Sequence, residues 1–243
     1  MTNRTIETSP LVYARVAGVL YLIIIVCGIF SEVFVRSRIF VPGDAATTAS
    51  NIMASVGLFR IGFLADSIMF LSDVALAALL YVLFKPVNKT VALAATFFRL
   101  TQTAVLALNL LNHHAALLVL QGSGYATAFQ EDQLHALSSL FLDLHGHGYD
   151  LGLLLFGLHC LLLGYLIVKS SYVPRVLGVL LIAAAFTYLT GSYTRFLFPD
   201  YVTLVSPIYI VAFVSEVSLC LWFLVKGVNV QQWERMTGKA VAA

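Results

Sequence analysis

Residues 58 to 84 read LFRIGFLADSIMFLSDVALAALLYVLF, and this stretch decides the fold. It is nearly continuous in apolar residues, and a helix of about 20 such residues spans the hydrocarbon core of a bilayer. Asp66 and Asp73 interrupt it, although a charge at the centre of a spanning helix costs about 2.5 to 3.5 kcal/mol even on the mildest insertion scale. We therefore predict a membrane helix whose carboxylates face a bundle interior, a partner group or a water-filled cavity.

Five further stretches share this character. The six predicted spans are residues 16–35, 58–84, 91–120, 149–168, 173–193 and 202–225. The chain is 60% hydrophobic and 11% charged, with a mean hydropathy of +0.92, which excludes an ordinary soluble domain. We predict an all-α, polytopic membrane protein in which residues 1–243 form a single domain, a bundle of six transmembrane helices.

The positive charges between the spans predict the orientation. If the N-terminus lies in the cytoplasm, nine lysines and arginines fall in the inner segments and four in the outer segments and span ends. Inner loops carry the excess of positive charge in membrane proteins. Both termini are therefore predicted to be cytoplasmic.

This orientation is directly testable with reporter fusions. Fusions after Lys89 and Lys239 should report the cytoplasm, and a fusion after Ser123 should report the outside, because the positive-inside rule places these segments there. Each site is fused both to a reporter active only outside and to one active only inside, so that every fusion controls the other. A cytoplasmic signal at Ser123 would contradict both the orientation and the number of spans.

The charge and cysteine content limit the possible partners. The net charge is only +2, and the cationic residues lie mainly at span ends, which is unlike the basic surface of a nucleic-acid-binding protein. Cys27, Cys160 and Cys220 all fall inside spans, where they are predicted to pack as small apolar side chains. The predicted partners are therefore the lipid bilayer and no nucleic acid, with a homo-oligomer left open.

Polar residues inside the spans fall into two layers when depth is counted at about 1.5 Å per residue. The inner layer is the predicted binding site near mid-membrane, and it comprises Asp73, Arg99, Asn109, His159 and Glu216. One interpretation is an ion-pair network in which Arg99 neutralises Asp73 or Glu216 and only fixes the helices in register. The other is a proton relay or a site for a solute or cation. Two carboxylates share one arginine, so one of them can hold a proton.

The outer layer lies at the opposite membrane boundary. It comprises Glu32, Arg60, Asp66, His113, His114, His147 and Asp150. On a helix Asp143, His147 and Asp150 share one face, so His113, His147 and Asp150 are the candidate ligands of a divalent metal such as zinc, or of haem. No HExxH or CxxC spacing supports this assignment, and histidines at a membrane surface also act as plain hydrogen-bonding groups, which is the interpretation favoured for His135 and His145.

Two connecting features complete the prediction. Residues 121–143 form the longest connection, and their apolar residues recur at helical spacing, which indicates either an outer helix that continues into the fourth span or a lid. Gly148 and Gly152 form a small-xxx-small pair that lets another helix approach closely.

The chain resembles the bacterial integral membrane proteins grouped as domain of unknown function 4386, from about Arg15 to Gly227. The matching residues are Arg15, Ala17 and Gly18, Leu80, Tyr81, Pro86, Val87 and Asn88, Arg99 and Leu100, Phe156, Gly157, Gly164, Tyr165 and Leu166, Pro174, Arg175, Leu177 and Gly178, and Glu216, Trp222, Lys226 and Gly227. The resemblance implies six transmembrane helices in a bacterial cytoplasmic membrane. It also implies that Arg15, Arg99 and Glu216 occupy the polar positions of the family, and it carries no catalytic role.

Three function classes follow from these patterns. The first is binding or transport of a small polar or lipid-like solute at the inner layer, because transporter sites lie near mid-membrane. The second is a metal- or haem-dependent membrane enzyme that uses the outer histidines. The third is a structural or accessory membrane subunit in which the polar groups only lock helices together.

Overall fold

A computed structural model describes residues 9–122 and 124–238 of the chain. Within these ranges the helices are α1 (Pro10–Ile39), α2 (Ala45–Ala54), α3 (Val56–Phe84), α4 (Lys89–Leu120), α5 (Glu131–Lys169), α6 (Arg175–Leu197), α7 (Pro199–Val225) and α8 (Val230–Met236). A short 3₁₀ segment, Gly124–Ala128, precedes α5. The described residues contain no strand, so the predicted all-α class is confirmed.

Six of the described helices, all except α2 and α8, are long and apolar enough to cross a membrane. Many of their large apolar side chains point outward, and Leu71, Leu108 and Leu204 are each 70% or more exposed. A soluble protein rarely exposes contiguous apolar surface on this scale, whereas lipid covers it. The chain is therefore a multi-pass membrane protein, while the side of the membrane on which its termini lie stays a prediction.

Helix α5 begins 18 residues before the span predicted at residues 149–168. It runs without interruption from Glu131 to Lys169, so the predicted continuation of a helix from the connection into the fourth span is confirmed. Glu131 and Asp132 occupy its first turn, where negative side chains interact favourably with the helix dipole. Residues 132–145 hold neither Gly nor Pro, so nothing in this part of the sequence stops the helix.

Two local features of the region from α1 to α2 were not predicted. Helix α1 adopts π-helical hydrogen bonding from Phe30 to Arg36, a rare geometry that is frequent at functional sites. Asp44 caps α2, since its carboxylate accepts hydrogen bonds from the backbone N–H of Thr47 at 2.9 Å and from the Thr47 hydroxyl at 2.7 Å. These hydrogen bonds lower the pKa of Asp44.

The backbone divides into two compact units, and each is described by itself. Unit 1 comprises the described residues of 1–22, 72–102 and 153–243, and unit 2 comprises those of 23–71 and 103–152. The inner-layer residues Asp73, Arg99, His159 and Glu216 belong to unit 1. Asn109 and the predicted outer-layer residues belong to unit 2. The single domain predicted from the sequence stays a prediction.

Helices α5 and α6 of unit 1 approach each other through two glycines. A Cβ atom added to Gly164 would lie 2.7 Å from the carbonyl oxygen of Gly178, and one added to Gly178 would lie 2.7 Å from the carbonyl oxygen of Gly164. Real Cβ atoms essentially never approach this closely. The two backbones therefore meet at a point where only glycine fits on either side.

Two later segments of the chain form hydrogen bonds to the carbonyl oxygen of Leu83 at the end of α3. The Tyr172 hydroxyl donates to it at 2.8 Å and the indole N–H of Trp233 at 3.0 Å. Leu83 lies in the last turn of α3, where carbonyl groups have no intrahelical partner. Burial raises the pKa of Tyr172, which keeps this hydroxyl protonated as a donor.

In unit 2 the predicted glycine pair packs against α4. A Cβ atom on Gly148 would collide with the side chain of Asn109, and one on Gly152 would lie 2.6 Å from a methyl carbon of Leu106. The close helix approach predicted from Gly148 and Gly152 is confirmed. It is one reason why α4 and α5 bring their polar side chains together in unit 2.

Candidate functional site

The inner site of unit 1 is centred on Arg99. Its side chain is 1% exposed, and its Nε donates to Oδ1 of Asp73 at 2.9 Å. The terminal nitrogen Nη2 donates to the same oxygen atom. Helices α3 and α4 thus bring the two charges into a buried, hydrogen-bonded ion pair, and the predicted pairing of Arg99 with Asp73 is confirmed.

His159 on α5 receives the other terminal nitrogen of Arg99. Nη1 of Arg99 lies 2.9 Å from Nε2 of His159, and Nδ1 of His159 lies 2.9 Å from the carbonyl oxygen of Ala95. A carbonyl only accepts hydrogen bonds, so Nδ1 carries the proton and Nε2 uses its lone pair to accept from Arg99. His159 is therefore neutral in this arrangement and orients the guanidinium without changing the charge of the site.

Two aromatic rings complete the surroundings of the guanidinium. Its central carbon lies 5.3 Å from the ring centre of Tyr21 on α1 and 5.3 Å from that of Phe156 on α5. Aromatic faces attract cations at these distances, and the attraction is larger where water is excluded. The rings stabilise the positive charge without neutralising it.

Glu216, the second inner carboxyl, contacts a different group. The hydroxyl of Tyr188 on α6 donates a hydrogen bond to Oε1 of Glu216 on α7. Tyr188 in turn lies edge-on to Phe156, with ring centres 5.2 Å apart. Glu216 therefore bonds to a tyrosine and not, as the predicted alternative had it, to Arg99. The ring of Tyr188 contacts Phe156, and Phe156 lies beside the guanidinium of Arg99.

These contacts join all six membrane helices within unit 1. We call the set the inner cluster, and its members are Tyr21, Asp73, Arg99, Phe156, His159, Tyr188 and Glu216. The sequence indicated Asp73, Arg99, His159 and Glu216 by their charge or polarity. It missed the three aromatic residues, because aromatic side chains are common in membrane helices and carry no signal of their own.

A small cavity adjoins the inner cluster. It is lined by His159, Thr96, Tyr81 and apolar side chains of α3, α4 and α5, and its volume is about 10 Å³. That is about the space needed for one water molecule. His159 therefore borders a space of this size between three helices.

In unit 2 an arginine joins two carboxylates of the predicted outer layer. Nε of Arg36 lies 2.7 Å from Oε2 of Glu32, and its Nη1 lies 2.8 Å from Oδ2 of Asp66. Asp66 is 1% exposed, whereas Glu32 is 67% exposed. Arg36 was missed as a site residue because the first predicted span ended at residue 35, although its i,i+4 spacing from Glu32 is a recognisable ion-pair signal.

The buried histidine pair of unit 2 is His113 and His145. Their ring centres are 5.5 Å apart, and the ring of His113 stacks on Phe59 with centres 3.9 Å apart. His147, the histidine predicted on α5, is exposed and lies two residues from His145. Two residues along a helix turn a side chain by about 200°, so only one of the two histidines can face α4.

Asn109 also belongs with this pair and not with the inner layer. Its amide nitrogen donates to the backbone carbonyl of His145 at 2.7 Å. Asn109 lies ten residues further along α4 than Arg99, or about 15 Å. The assignment of Asn109 to the inner layer is therefore corrected.

The remaining outer-layer residues are dispersed. Arg60, His114 and His147 are exposed, and Asp150 is buried. His114 lies near Phe63, and Nδ1 of His147 bonds to the carbonyl of Asp143 on its own helix. Residues 9–122 and 124–238 contain no group of three or more His, Cys, Asp or Glu that could hold one metal ion, so the predicted metal or haem grouping of His113, His147 and Asp150 is not formed there.

Comparison with known proteins gives a family match and a relative. The family model "Domain of unknown function (DUF4386)" matches residues 16–227. The chain is similar to an uncharacterized protein of the archaeon Archaeoglobus fulgidus, with 29% identity over 177 residues, which cover 73% of this chain and 85% of that protein. No solved structure matches the chain.

Proposed function

The chain belongs to the DUF4386 family of unknown function, and we propose that it binds a small anionic solute at the inner cluster and moves it across the membrane. The buried guanidinium of Arg99 carries this proposal. A planar guanidinium binds carboxylate and phosphate groups through paired hydrogen bonds, and Asp73 occupies that position in the structure. A solute carboxylate or phosphate takes the place of Asp73 when it binds.

The position of the cluster supports transport over simple binding. Every membrane helix contributes a side chain to the inner cluster, so a rearrangement at Arg99 affects all six. Substrate sites of transporters lie near mid-membrane, where they can be opened to either side. We place the protein in the bacterial cytoplasmic membrane with both termini cytoplasmic, on the loop charges and the family resemblance.

Glu216 gives the cluster a second, adjustable charge. Its contact is a neutral tyrosine hydroxyl, whereas Asp73 bonds to a cation. With His159 neutral, the charge of the cluster is set by whether Glu216 holds a proton. The negative charge of a bound solute and the positive charge of a proton on Glu216 cancel, so the net charge of the cluster stays the same when both bind. The proposed transport is therefore coupled to a proton.

A structural subunit is the competing function, and the same ion pair favours it. Buried pairs persist in some proteins because they fix helix register, with no ligand involved. Transport and a purely structural role make different demands on the site. A solute site must be reached from water, whereas an ion pair that only fixes helix register need not be.

Ligand binding by wild-type protein and an Asp73→Ala variant tests the proposal. The full chain in lipid nanodiscs is heated with acetate, succinate or inorganic phosphate. At least one anion should raise the melting temperature of the wild type, and acetate should raise that of Asp73→Ala further, because the variant leaves the guanidinium without its carboxylate. An anion present at 100 times its Kd should stabilise the folded protein by about 2.7 kcal/mol.

Two variants serve as controls. Asp73→Ala/Arg99→Met removes the guanidinium as well and should not respond to anions, and Glu216→Gln should bind anions but lose the pH dependence of uptake into liposomes. If no anion stabilises either the wild type or Asp73→Ala, the guanidinium is sealed from solutes, and the structural function is the correct one.

A further inference from the structure

The buried histidine pair of unit 2 keeps one ring nitrogen of each residue without a hydrogen-bond partner. These atoms are Nδ1 of His113 and Nε2 of His145. The two side chains are 1% and 4% exposed, so surface water does not serve them. Buried polar atoms are almost always hydrogen-bonded, and each exception requires a reason. Two such nitrogens on rings 5.5 Å apart indicate a site for a ligand.

The other nitrogen of each ring is bonded to a backbone carbonyl. Nε2 of His113 lies 3.3 Å from the carbonyl oxygen of Phe59, and Nδ1 of His145 lies 3.2 Å from that of Asn109. Carbonyls only accept, so these nitrogens carry the protons and the unpartnered ones carry lone pairs. The Asn109 amide also lies near Nδ1 of His145, at 3.3 Å, but it donates to the His145 carbonyl at 2.7 Å.

This arrangement is typical of histidines that bind metal ions. Such histidines donate their second ring N–H to a carboxylate or a backbone carbonyl, which fixes the tautomer and the direction of the ring. The stacking of Phe59 on His113 further restricts that ring. His159 in unit 1 offers a comparison, because its Nδ1 also bonds to a carbonyl but its Nε2 is occupied by Arg99.

The ring separation fits one shared ion. A metal ion at about 2.0 to 2.1 Å from an imidazole nitrogen lies roughly 3.2 Å from the ring centre, and two rings at a tetrahedral to trigonal angle then have centres about 5.2 to 5.5 Å apart. The observed distance is 5.5 Å. The rings stand at 62° to each other, so they are not stacked face to face.

The charged side chains near the pair are Arg36, Asp66 and Glu32. Arg36 bonds to Glu32 and Asp66, so two carboxylates face one guanidinium and leave one net negative charge. The second oxygen of Asp66, Oδ1, has no hydrogen-bond partner. Arg36 also lies over the ring of Tyr149, 6.0 Å from its centre, and Tyr149 lies 6.4 Å from His145, which connects the charges to the histidine pair.

We propose that Nδ1 of His113 and Nε2 of His145 bind a late first-row transition-metal ion, with Zn²⁺ as the ion to be tested. Neutral imidazole nitrogens are suitable ligands for zinc, copper and nickel. The described residues bring no third His, Cys, Asp or Glu close enough for direct coordination. The protein therefore supplies two ligands, and water or a small ligand supplies the others.

Zinc binding by full-length protein without a polyhistidine tag tests this site. The purified chain in detergent is titrated with Zn²⁺ against a chromophoric chelator. The wild type should bind one Zn²⁺ per chain, and His113→Gln and His145→Gln should each weaken binding by about tenfold or more, since loss of even a supporting partner costs 10- to 100-fold. The matched controls His114→Gln and His147→Gln, on the same helices but exposed, should bind within about twofold of the wild type.

A measurement on the wild type keeps the test valid if a variant does not fold. In ¹⁵N-histidine NMR spectra, Zn²⁺ should shift the signals of Nδ1 of His113 and Nε2 of His145 and leave His159 unchanged. The proposal is overturned if the wild type binds no Zn²⁺, if only exposed histidines respond, or if His114→Gln and His147→Gln weaken binding as much as the two buried variants.

Discussion

Arg99→Met should destabilise the protein in detergent micelles by about 3 to 5 kcal/mol. The change removes the guanidinium that donates from Nε and Nη2 to Asp73 and leaves a carboxylate that is 7% exposed without its cation. Breaking one partner of a buried pair has this effect because the remaining charge is neither hydrated nor neutralised. Denaturant unfolding followed by circular dichroism measures the loss.

Two further variants separate the ion pair from other effects of the substitution. Asp73→Leu/Arg99→Met should recover much of the lost stability, because replacing both members of a buried pair by apolar residues is often neutral or stabilising. Arg60→Met, at an exposed arginine, should change stability by no more than about 0.5 kcal/mol. Equal losses for Arg99→Met and Arg60→Met would show that the pair contributes little.

The sequence was sufficient for the fold because spanning helices need long apolar segments and little else. Helices α3 to α7 each end within four residues of the C-terminal limit of the corresponding predicted span. The fourth predicted span begins 18 residues after the start of α5 because residues 131–148 are too polar for a span, and only their helical periodicity indicated the earlier part of the helix. Hydropathy locates the membrane-spanning part of a helix and not the parts that extend beyond the membrane.

The inner site was predictable where charge limits the choices. Arg99 is an arginine inside a predicted span, so its pairing with Asp73 or Glu216 followed from the cost of an unpaired charge in hydrocarbon. Its contact with Asp73 and not Glu216 depends on which faces α3, α4 and α7 present. Tyr188 is one of 11 tyrosines, and no pattern distinguishes the one that bonds to Glu216.

The outer histidines show a different limit. His145 and His147 have the same chemistry and nearly the same depth, and only the rotation of α5 decides which one faces α4. That rotation is set by packing, in which Gly148 lies against Asn109 and Gly152 against Leu106.

The crossing of α5 and α6 in unit 1 should be sensitive to any added side-chain atom. Gly164→Ala should destabilise the protein by about 1 to 3 kcal/mol, because the new methyl group would lie 2.7 Å from the Gly178 carbonyl and 3.1 Å from the Ile182 nitrogen. These are backbone atoms, so no side-chain rotation relieves the contact. Unfolding in the same denaturant series measures the change.

The matched control is Gly57→Ala, at a helical glycine of α3 around which no atom lies within 4 Å of an added Cβ. It should be neutral or slightly stabilising, since alanine favours a helix by up to about 1 kcal/mol over glycine. A larger loss at Gly57 than at Gly164 would contradict the backbone contact at the crossing. A loss at Gly164 alone, with the melting response to anions kept, would show that close packing of α5 and α6 stabilises unit 1 independently of the charges on Arg99 and Asp73.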